Sequence, residues 1–264
     1  PVKQLAQSFN IQVMQPEKIR NDSFIAAIAA LNPDVIAVVA FGQILPKMLL
    51  DIPRFGCINV HASLLPKYRG AAPIHWAIIN GEPVTGITTM YMDVGMDTGD
   101  IIYCDTTSIG ENQTTGELYD LLKVQGANLL DKTLQSIALG NIPRTPQNHE
   151  SATYAPLLTR EIERVDWSLP ALSIHNLIRG LNPWPGAYCL HQGKFLKLCC
   201  SKVSTTTPTQ EKPGTIISLT QTGIIVQTGS GTLELLEVQP ECRKRMNARD
   251  CASGYCLTVG EVLS

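Results

Sequence analysis

The sequence predicts an α/β fold in which a Rossmann-like, mostly parallel sheet is followed by a smaller β-barrel of the OB-like kind. In the first half, short apolar runs alternate with helix-like stretches, which is typical of parallel sheets covered by helices. From residue 187 onward, short β runs are separated by glycines, as in small barrels. Between the halves the composition turns to proline, asparagine, glutamine and threonine. We therefore predict domains at 1–142 and 165–264, joined by a linker at 143–164.

The first strands and helices follow from local residue patterns. Residues 11–15 (IQVMQ) have the pattern of a strand. A helix is predicted over 21–31, with Asn21 or Asp22 as its cap and Pro33 at its end. The apolar run 34–41 predicts a buried central strand. Because a doubly wound domain usually opens with a strand and this chain opens in a helix-like stretch, we expect N-terminal strands to be missing from it.

Local residue patterns also predict the remaining helices and strands of the first half. Residues 57–61 (CINVH) predict a strand, and a helix is expected from Pro73 to Gly81, since proline favours a helix start and glycine its end. Two β-rich runs at 85–93 and 100–109 are separated by a short loop, so we expect them to pair. Leucines at helical spacing predict a long covering helix over 115–139.

Composition and charge exclude several classes of protein. With 44% hydrophobic and 17% charged residues the chain resembles an ordinary globular protein, and a net charge of −2 argues against a surface devoted to nucleic acid. No apolar run approaches the roughly 20 residues of a membrane span. The eight cysteines lack metal-binding spacing. We therefore expect reduced thiols, no metal, no membrane contact, and a location in the cytoplasm or, in a eukaryote, an organelle matrix.

The residues most able to carry chemistry lie at the end of the predicted strand 57–61. Asn59 and His61 are two positions apart, so their side chains emerge on the same face. Open parallel sheets bind ligands at the carboxyl ends of their strands. Composition alone favours a structural interpretation, in which Asn59 caps a turn and His61 is a hydrogen-bonded core histidine. The small residues and two cations of KYRGAAP, which follow, favour a ligand site instead.

A second loop, DVGMDTGD, separates the two β-rich runs and contains Asp97. Its glycines, Gly95 and Gly99, permit unusual backbone dihedrals. Alone, such a loop is more typical of a turn, and its spacing does not match a calcium-binding loop. Its significance depends on the first motif.

Together, HASLLPKYRGAAP and DVGMDTGD resemble the folate-dependent formyltransferases, and the likeness covers nearly the whole chain. PVKQLA, VVAFGQILP and LNPWPGAY are similar to the branch of that family that formylates initiator methionyl-tRNA. The resemblance implies that Asn59, His61 and Asp97 form the catalytic centre. It also implies 10-formyltetrahydrofolate as co-substrate and initiator methionyl-tRNA as partner, and we expect a monomer.

The resemblance further implies a folate site built mostly from backbone groups, which fits loops rich in glycines and aliphatic residues. The residues it assigns to that site are Ser63, Leu64, Leu65, Pro66, Phe41, Gly42, Gln43 and Asp93. For Phe41, Leu64 and Leu65, packing in the core is an equally good interpretation.

Cationic side chains are the candidates for nucleic-acid contact. Those we predict are Lys67, Arg69, Arg243, Lys244 and Arg245. The first two lie beside the predicted catalytic strand and can serve either the acceptor or the glutamate tail of the folate. The tail from 201 to 264 carries equal numbers of basic and acidic residues. The run 243–245 is its one cationic cluster, and so short a run is also typical of a solvated loop.

Formyl transfer gives each predicted catalytic residue a task. An amine attacks a carbonyl, an oxyanion develops and a proton moves between two nitrogens. Asn59 can donate an amide N–H to the oxyanion, protonated His61 can donate as well, and Asp97 favours the charged imidazole. The β-rich second domain favours a tRNA acceptor. Two alternatives stay open: an amino-sugar nucleotide as acceptor, or a non-catalytic nucleic-acid or metabolite-binding module of the same fold.

Overall fold

A computed structural model of the chain describes residues 1–255 and 257–264. Its helices are α1 (Val2–Ser8), α2 (Asp22–Ala30), α3 (Lys47–Leu50), α4 (Pro73–Ile79), α5 (Thr115–Ala138), α6 (Arg160–Glu163), α7 (Ala171–Gly180) and α8 (Ala248–Tyr255). Its strands are β1 (Ile36–Val39), β2 (Cys57–His61), β3 (Arg69–Gly70), β4 (Val84–Tyr91), β5 (Ile101–Ser108), β6 (Tyr154–Ala155), β7 (Ala187–His191), β8 (Lys194–Ser204), β9 (Ile216–Leu219), β10 (Ile224–Gln227), β11 (Thr232–Pro240) and β12 (Met246–Asn247). A short 3-10 turn covers His149–Ser151.

The first sheet has the strand order β1-β2-β4-β5. β1 and β2 pair in parallel, whereas β4 runs antiparallel to both β2 and β5. The predicted pairing of the two β-rich runs is confirmed, because a short loop joins antiparallel neighbours. The α/β class is also confirmed. The described part of the sheet is mixed rather than mostly parallel, because the short loop between β4 and β5 permits only antiparallel pairing and β4 also runs antiparallel to β2.

Two predictions about the start of the chain are wrong. Residues 11–15 form no strand, and Ile11 and Met14 are exposed, because no described strand lies beside them to complete a hydrogen-bonded ladder. The run 34–41 does contain a strand, β1, but this strand lies at the edge of the described sheet, where Val39 is 57% exposed. It is therefore not the buried central strand that its apolar composition predicts.

The helices predicted at 21–31, 73–81 and 115–139 are confirmed, as α2, α4 and α5. A capping box starts α5: the Thr114 side chain accepts from the Glu117 N–H, and the Glu117 carboxylate accepts from the Thr114 N–H. Buried Leu118 and Leu122 of α5 then share an apolar cluster with Ile87 of β4. This cluster fixes the sheet from one side. Among the described helices, even α5 lacks the combination of length and apolarity that crossing a membrane requires.

The second half is an antiparallel sheet in the order β7-β8-β11-β10-β9, with β12 paired to β11. The C-terminal segment joins its two edges. Leu263 donates its N–H to the carbonyl of Gly214 beside β9, while Ser264 and Leu190 of β7 exchange backbone hydrogen bonds. Joining the edges in this way satisfies backbone groups that an open sheet leaves unpaired. The predicted small β-barrel is confirmed.

The segment predicted as a linker, 143–164, has structure of its own. It contains the 3-10 turn, β6 and α6, and β6 pairs in parallel with β3. Because β3 follows the loop after β2, this pairing brings the connecting segment to the predicted catalytic edge. The domain boundaries at 142 and 165 stay a prediction.

Helix α7 packs between the two halves. Its last residue, Gly180, approaches α4 so closely that a Cβ there would lie 2.6 Å from Cγ1 of Ile79. Arg179 of α7 donates from Nη1 to the carbonyl oxygens of Gly110 and Gln113, in the loop before α5. We call these contacts the α7 interface.

Candidate active site

The candidate site lies at the carboxyl end of β2. Asn59 and His61 alternate with Val60 on this strand and therefore project from the same face. Asn59 is half-buried, and its side chain forms no hydrogen bond with any described residue. His61 is buried, with 6% of its surface exposed. An accessible amide beside a buried imidazole has hydrogen-bonding capacity to offer a polar ligand.

Two protein oxygens orient the imidazole of His61. Its Nε2 atom lies 2.9 Å from the main-chain carbonyl oxygen of Tyr68, and since a carbonyl only accepts, Nε2 carries a hydrogen. Its Nδ1 atom lies 3.7 Å from Oδ2 of Asp97, an ion-pair distance that is longer than a hydrogen bond. A proton on Nδ1 therefore faces the carboxylate.

Asp97 is placed by an unusual backbone and by a neighbouring strand. Its φ of 54° lies in the left-handed region, which is uncommon for residues other than glycine. Its Oδ2 atom accepts from the N–H of Gly70 at 2.8 Å. Gly70 has a φ of 116°, and a Cβ there would lie 2.8 Å from the carbonyl oxygen of Ala155. Glycine is thus required for this N–H to reach the carboxylate.

Buried hydroxyls brace the loop that leaves β2. Thr88 of β4 donates from Oγ1 to the Ser63 carbonyl at 2.7 Å and accepts from the Leu65 N–H at 3.2 Å. The hydroxyl of Ser63 donates in turn to the carbonyl of Lys67. Ser63 and Leu65 are buried, whereas Leu64 is half-buried, as is Pro66. The folate contacts of these four residues stay a prediction.

The segment after β1 contains the next group of predicted folate residues. Phe41, Gly42 and Gln43 are all exposed. The Gln43 amide ties the segment down, because its Oε1 atom accepts from the Ile19 N–H at 3.1 Å. Ile44 beside them is 68% exposed. Because β1 and β2 run in parallel, Phe41 and Ile44, which follow β1, lie at the same end of the sheet as Asn59.

Asp93 belongs to the loop that carries Asp97. Its Oδ1 atom accepts from the Gly95 N–H at 2.9 Å and from the Thr98 hydroxyl at 2.6 Å. The Asp93 carboxylate therefore braces the loop, as an Asx turn does. Val94 and Met96 between these contacts are 74% and 62% exposed.

Lys67 and Arg69 lie close in sequence but differ in burial. Lys67 is exposed, with Nζ 3.8 Å from Oε1 of Glu82. Arg69 is only 2% exposed and donates to Oε1 of Gln147. A guanidinium that is buried and already bonded cannot reach a phosphate in solution. The predicted nucleic-acid contact of Arg69 is therefore corrected to an internal one.

The three remaining predicted cations lie in the turn between β11 and β12. Arg243, Lys244 and Arg245 are all exposed. Arg245 forms an ion pair with Glu237 of β11. Contact of this run with nucleic acid stays a prediction.

Two residues that hold this edge together, Gln147 and Thr88, were not predicted from the sequence. Gln147, from the connecting segment, is buried and donates from Nε2 to the main-chain carbonyl of Asp97 at 2.9 Å. No local pattern marks it, because its partners are distant in sequence. Thr88 did carry a signal, since a polar side chain inside a buried strand needs a hydrogen-bond partner.

Burial shifts the pKa of two groups around the site, and both remain protonated at neutral pH. Burial raises the pKa of the Tyr68 phenol to about 12, and this phenol donates to Oε1 of Glu82. Burial, followed by the charge of Asp51, raises the pKa of the Cys57 thiol to about 11. The seven cysteines in the described ranges are free thiols. Within those ranges no group of three or more His, Cys, Asp or Glu residues is arranged to hold a metal ion.

Solved structures share this fold. HypX from Aquifex aeolicus, in complex with tetrahydrofolic acid, matches with 19% identity and a TM-score of 0.67, over 90% of this chain and 41% of that one. An N-formyltransferase from Helicobacter canadensis, in complex with folinic acid and dTDP-3-aminofucose, matches with 21% identity and a TM-score of 0.65, over 88% and 81% of the two chains. At these identities the likeness establishes the fold.

Sequence comparison is more specific. The family model described as formyl transferase matches residues 1–134, and that of the formyl transferase C-terminal domain matches 157–256. A methionyl-tRNA formyltransferase from Alkaliphilus oremlandii is 49% identical over 263 residues, covering 100% of this chain and 84% of that protein. Another from Clostridioides difficile is 51% identical over 263 residues, covering 100% and 85%. The chain therefore belongs to the formyl transferase family, in its methionyl-tRNA formyltransferase branch.

Proposed function

We propose that the chain transfers a formyl group from 10-formyltetrahydrofolate to the amino group of initiator methionyl-tRNA. The observation that carries the proposal is the grouping of Asn59, His61 and Asp97: an accessible amide lies two positions from a buried imidazole, which is 3.7 Å from a carboxylate. Identities of 49% and 51% to methionyl-tRNA formyltransferases support the choice of acceptor.

The surface beside these three residues fits a folate. A pterin ring needs apolar faces together with a few backbone hydrogen-bonding groups. Exposed apolar side chains occur in the segment after β1 and in the loop that carries Asp97, and they are Phe41, Ile44, Val94 and Met96. The folate residues predicted from the sequence lie in these loops or in the braced segment 63–66. We assign the folate to this surface.

Asn59, His61 and Asp97 then carry out the steps of formyl transfer. When bound, 10-formyltetrahydrofolate supplies the formyl carbon that the acceptor amine attacks. Asn59 donates an N–H to the carbonyl oxygen as negative charge develops there. Protonated His61 places positive charge beside the same oxygen, and Asp97 balances that charge. The proton lost by the attacking amine passes, through water held by Asp97, to the nitrogen that leaves.

Exposed cations are the groups that we assign to tRNA phosphates. They are Lys67, Arg243, Lys244 and Arg245. Because the net charge of the chain is −2, its surface as a whole does not attract RNA, and contact is confined to these cations. We therefore expect the choice of RNA to depend on where these cations lie and not on a general electrostatic attraction. We place the enzyme, as a monomer, in the compartment that holds initiator tRNA, the cytoplasm or an organelle matrix.

A comparison of acceptors tests the proposal. The protein is supplied with 10-formyltetrahydrofolate and either charged initiator methionyl-tRNA, an amino-sugar nucleotide, or water alone. We expect formyl-methionyl-tRNA and no formylated sugar. Formylated sugar without formyl-methionine would overturn the acceptor and keep the site. If none of the three acceptors turned over, the non-catalytic binding module would be the better interpretation.

The cationic run is tested separately by the double substitution Arg243→Ala with Lys244→Ala. If both side chains contact phosphates, KM for methionyl-tRNA rises. The slope of log KM against log salt concentration then decreases by roughly one per lost contact. Arg245 is left in place because it pairs with Glu237. The matched control, Lys194→Ala with Lys212→Ala, removes the same charge from exposed positions of the same half. Equal effects in both proteins would show that net charge, and not this run, matters.

A further inference from the structure

Gln147 connects two parts of the catalytic edge through a single buried amide. It is 6% exposed. Its Oε1 atom accepts from Nε and Nη2 of Arg69, at 3.2 and 2.6 Å. Its Nε2 atom donates to the main-chain carbonyl oxygens of Asp97 and Gly99, at 2.9 and 2.7 Å. Both ends of the amide are thus in use, on different chain segments.

Arg69 supplies a reason for this contact. Its guanidinium is nearly fully buried, and within the described ranges no carboxylate lies within 4.0 Å of it. A buried cation without a counter-ion depends on neutral acceptors for its stability. Those present are Oε1 of Gln147 and, 3.1 Å from Nη2, Nδ1 of His149. Gln147 is therefore the main acceptor of a buried positive charge.

The residues on either side of Arg69 touch the proposed catalytic groups. The carbonyl oxygen of Tyr68 accepts from His61, and the N–H of Gly70 donates to Asp97. Segment 68–70 thus holds His61 with one end and Asp97 with the other. Gln147 fixes this segment, through Arg69, relative to the loop that carries Asp97.

The Asp97 loop needs such support. A left-handed backbone at a residue other than glycine persists only where its surroundings impose it. The Gln147 contacts to the carbonyls of Asp97 and Gly99 bracket that residue. The distance of 3.7 Å between Nδ1 of His61 and Oδ2 of Asp97 therefore depends on an amide that touches neither side chain.

We propose that Gln147, acting with Arg69, is a positioning residue that sets the His61–Asp97 distance. The inference rests on the proposed function, because it concerns the same site. It also gives the connecting segment a catalytic task. Gln147 belongs to neither sheet, and its side-chain partners Arg69, Asp97 and Gly99 all lie in the first half of the chain.

The substitution Gln147→Glu separates the two halves of this contact. A carboxylate still accepts from Arg69 and adds a charge–charge attraction. It cannot donate to the carbonyls of Asp97 and Gly99, and it places negative charge against both oxygens. The hydrogen bonds from Arg69 are therefore retained and preserve stability, whereas the Asp97 loop loses the hydrogen bonds to its two carbonyls.

We expect kcat for formyl transfer to fall roughly 10- to 100-fold in Gln147→Glu, since displacement of a catalytic group by about 1 Å costs up to about 100-fold. KM for both substrates should change by less than about threefold, which identifies a loss confined to the transition state. The 15N signals of the His61 ring should move. A purely structural role would alter Tm without moving these signals.

Gln227 in the barrel offers a matched control. It is 5% exposed, its Oε1 atom accepts from the Thr209 N–H, and its Nε2 atom donates to the carbonyl of Thr228. Gln227→Glu therefore makes the same chemical change at a buried amide outside the site. We expect it to lower Tm and to leave kcat and the His61 signals as in the unaltered protein.

The outcomes separate this inference from the proposed function. If the unaltered protein formylates methionyl-tRNA and Gln147→Glu reduces kcat no more than Gln227→Glu does, the inference is wrong. If the unaltered protein does not formylate methionyl-tRNA, the proposed function fails, and the His61 signals still decide the inference: unchanged signals in Gln147→Glu overturn it. Should Gln147→Glu not fold, Gln147→Met, which keeps the side-chain volume, is judged by the same two measurements.

Discussion

The catalytic edge at the end of β2 and the α7 interface each contain a buried arginine that lacks a carboxylate partner in the described ranges. At the edge, Arg69 is held mainly by the side chain of Gln147. At the interface, Arg179 is 7% exposed and donates from Nη1 to the carbonyls of Gly110 and Gln113, at 3.2 and 3.0 Å, and from Nε to Oδ1 of Asn176 at 2.8 Å.

The two regions differ in the hydrogen-bonding capacity that is left over. The polar side chains of the α7 interface are bonded to main-chain atoms or to each other, as buried groups normally are. At the catalytic edge, the Asn59 amide has no partner among described residues, and His61 and Asp97 are farther apart than a hydrogen bond. Completed bonding is typical of a structural interface, and unused capacity supports the proposed catalytic role of the edge.

The largest expected effect comes from Asn59→Ala. Loss of one donor to an oxyanion lowers kcat by about 100- to 1000-fold. Because the amide makes no internal hydrogen bond, the free energy of unfolding should change by less than about 0.5 kcal/mol. Single-turnover formylation and urea unfolding measure the two quantities.

The same substitution at the interface, Asn176→Ala, should show the opposite pattern. It removes the acceptor from Nε of the buried Arg179 and so lowers the free energy of unfolding by about 1–3 kcal/mol, with kcat nearly unchanged. If Asn59→Ala destabilised the protein as much as Asn176→Ala does, the distinction between the two regions would be lost.

For Arg179→Met we expect a loss of stability in the same range as that of Asn176→Ala, and smaller than the effect of Asn59→Ala on kcat. The methionine keeps much of the packing volume but leaves the carbonyls of Gly110 and Gln113 without their donor. We expect the free energy of unfolding to fall by about 2–3 kcal/mol, while the kcat of the folded fraction is kept. Urea unfolding measures the change. Arg164→Met at an exposed position is the control, and it should change stability by less than about 0.5 kcal/mol.

The catalytic edge and the interface also differ in how far the sequence predicts them. β2, α4 and α5 were predictable because their apolar spacing and caps are local, as the capping box of Thr114 and Glu117 illustrates. The grouping of Asn59, His61 and Asp97 followed from a family resemblance. The prediction of a strand at 11–15 was wrong because a strand needs a neighbouring strand to pair with, and local alternation does not reveal whether one is present.

The buried arginines were beyond local patterns altogether. Arg69 and Gln147 are 78 positions apart, and Arg179 reaches Gly110 across 69. A lone arginine near a catalytic motif is normally exposed, so the sequence favoured contact of Arg69 with either the acceptor or the folate glutamate tail. Its burial depends on the pairing of β3 with β6, which no periodicity in either two-residue strand could indicate.

The smallest expected effect concerns pH at the α7 interface. His175 of α7 is buried, with Nε2 donating to the Glu111 carbonyl and Nδ1 beside the Ser201 hydroxyl. Burial lowers the pKa of His175 below its ordinary value of 6.5, and neighbouring Arg179 adds to the decrease. The folded protein therefore keeps the imidazole neutral at a pH where the unfolded chain has taken up a proton.

It follows that stability is fully present above about pH 6.5 and declines as the pH falls below it, because the unfolded state then binds more protons. Urea unfolding at pH 7.5 and at pH 5.5 measures this decline. In His175→Gln, where the amide can retain both hydrogen bonds, the decline should be smaller. It should not vanish, because burial also lowers the pKa of His75, which bonds to the Trp184 carbonyl across the same interface. An unchanged decline in His175→Gln would mean that the pH response arises from other groups, and that the charge of His175 is not coupled to folding.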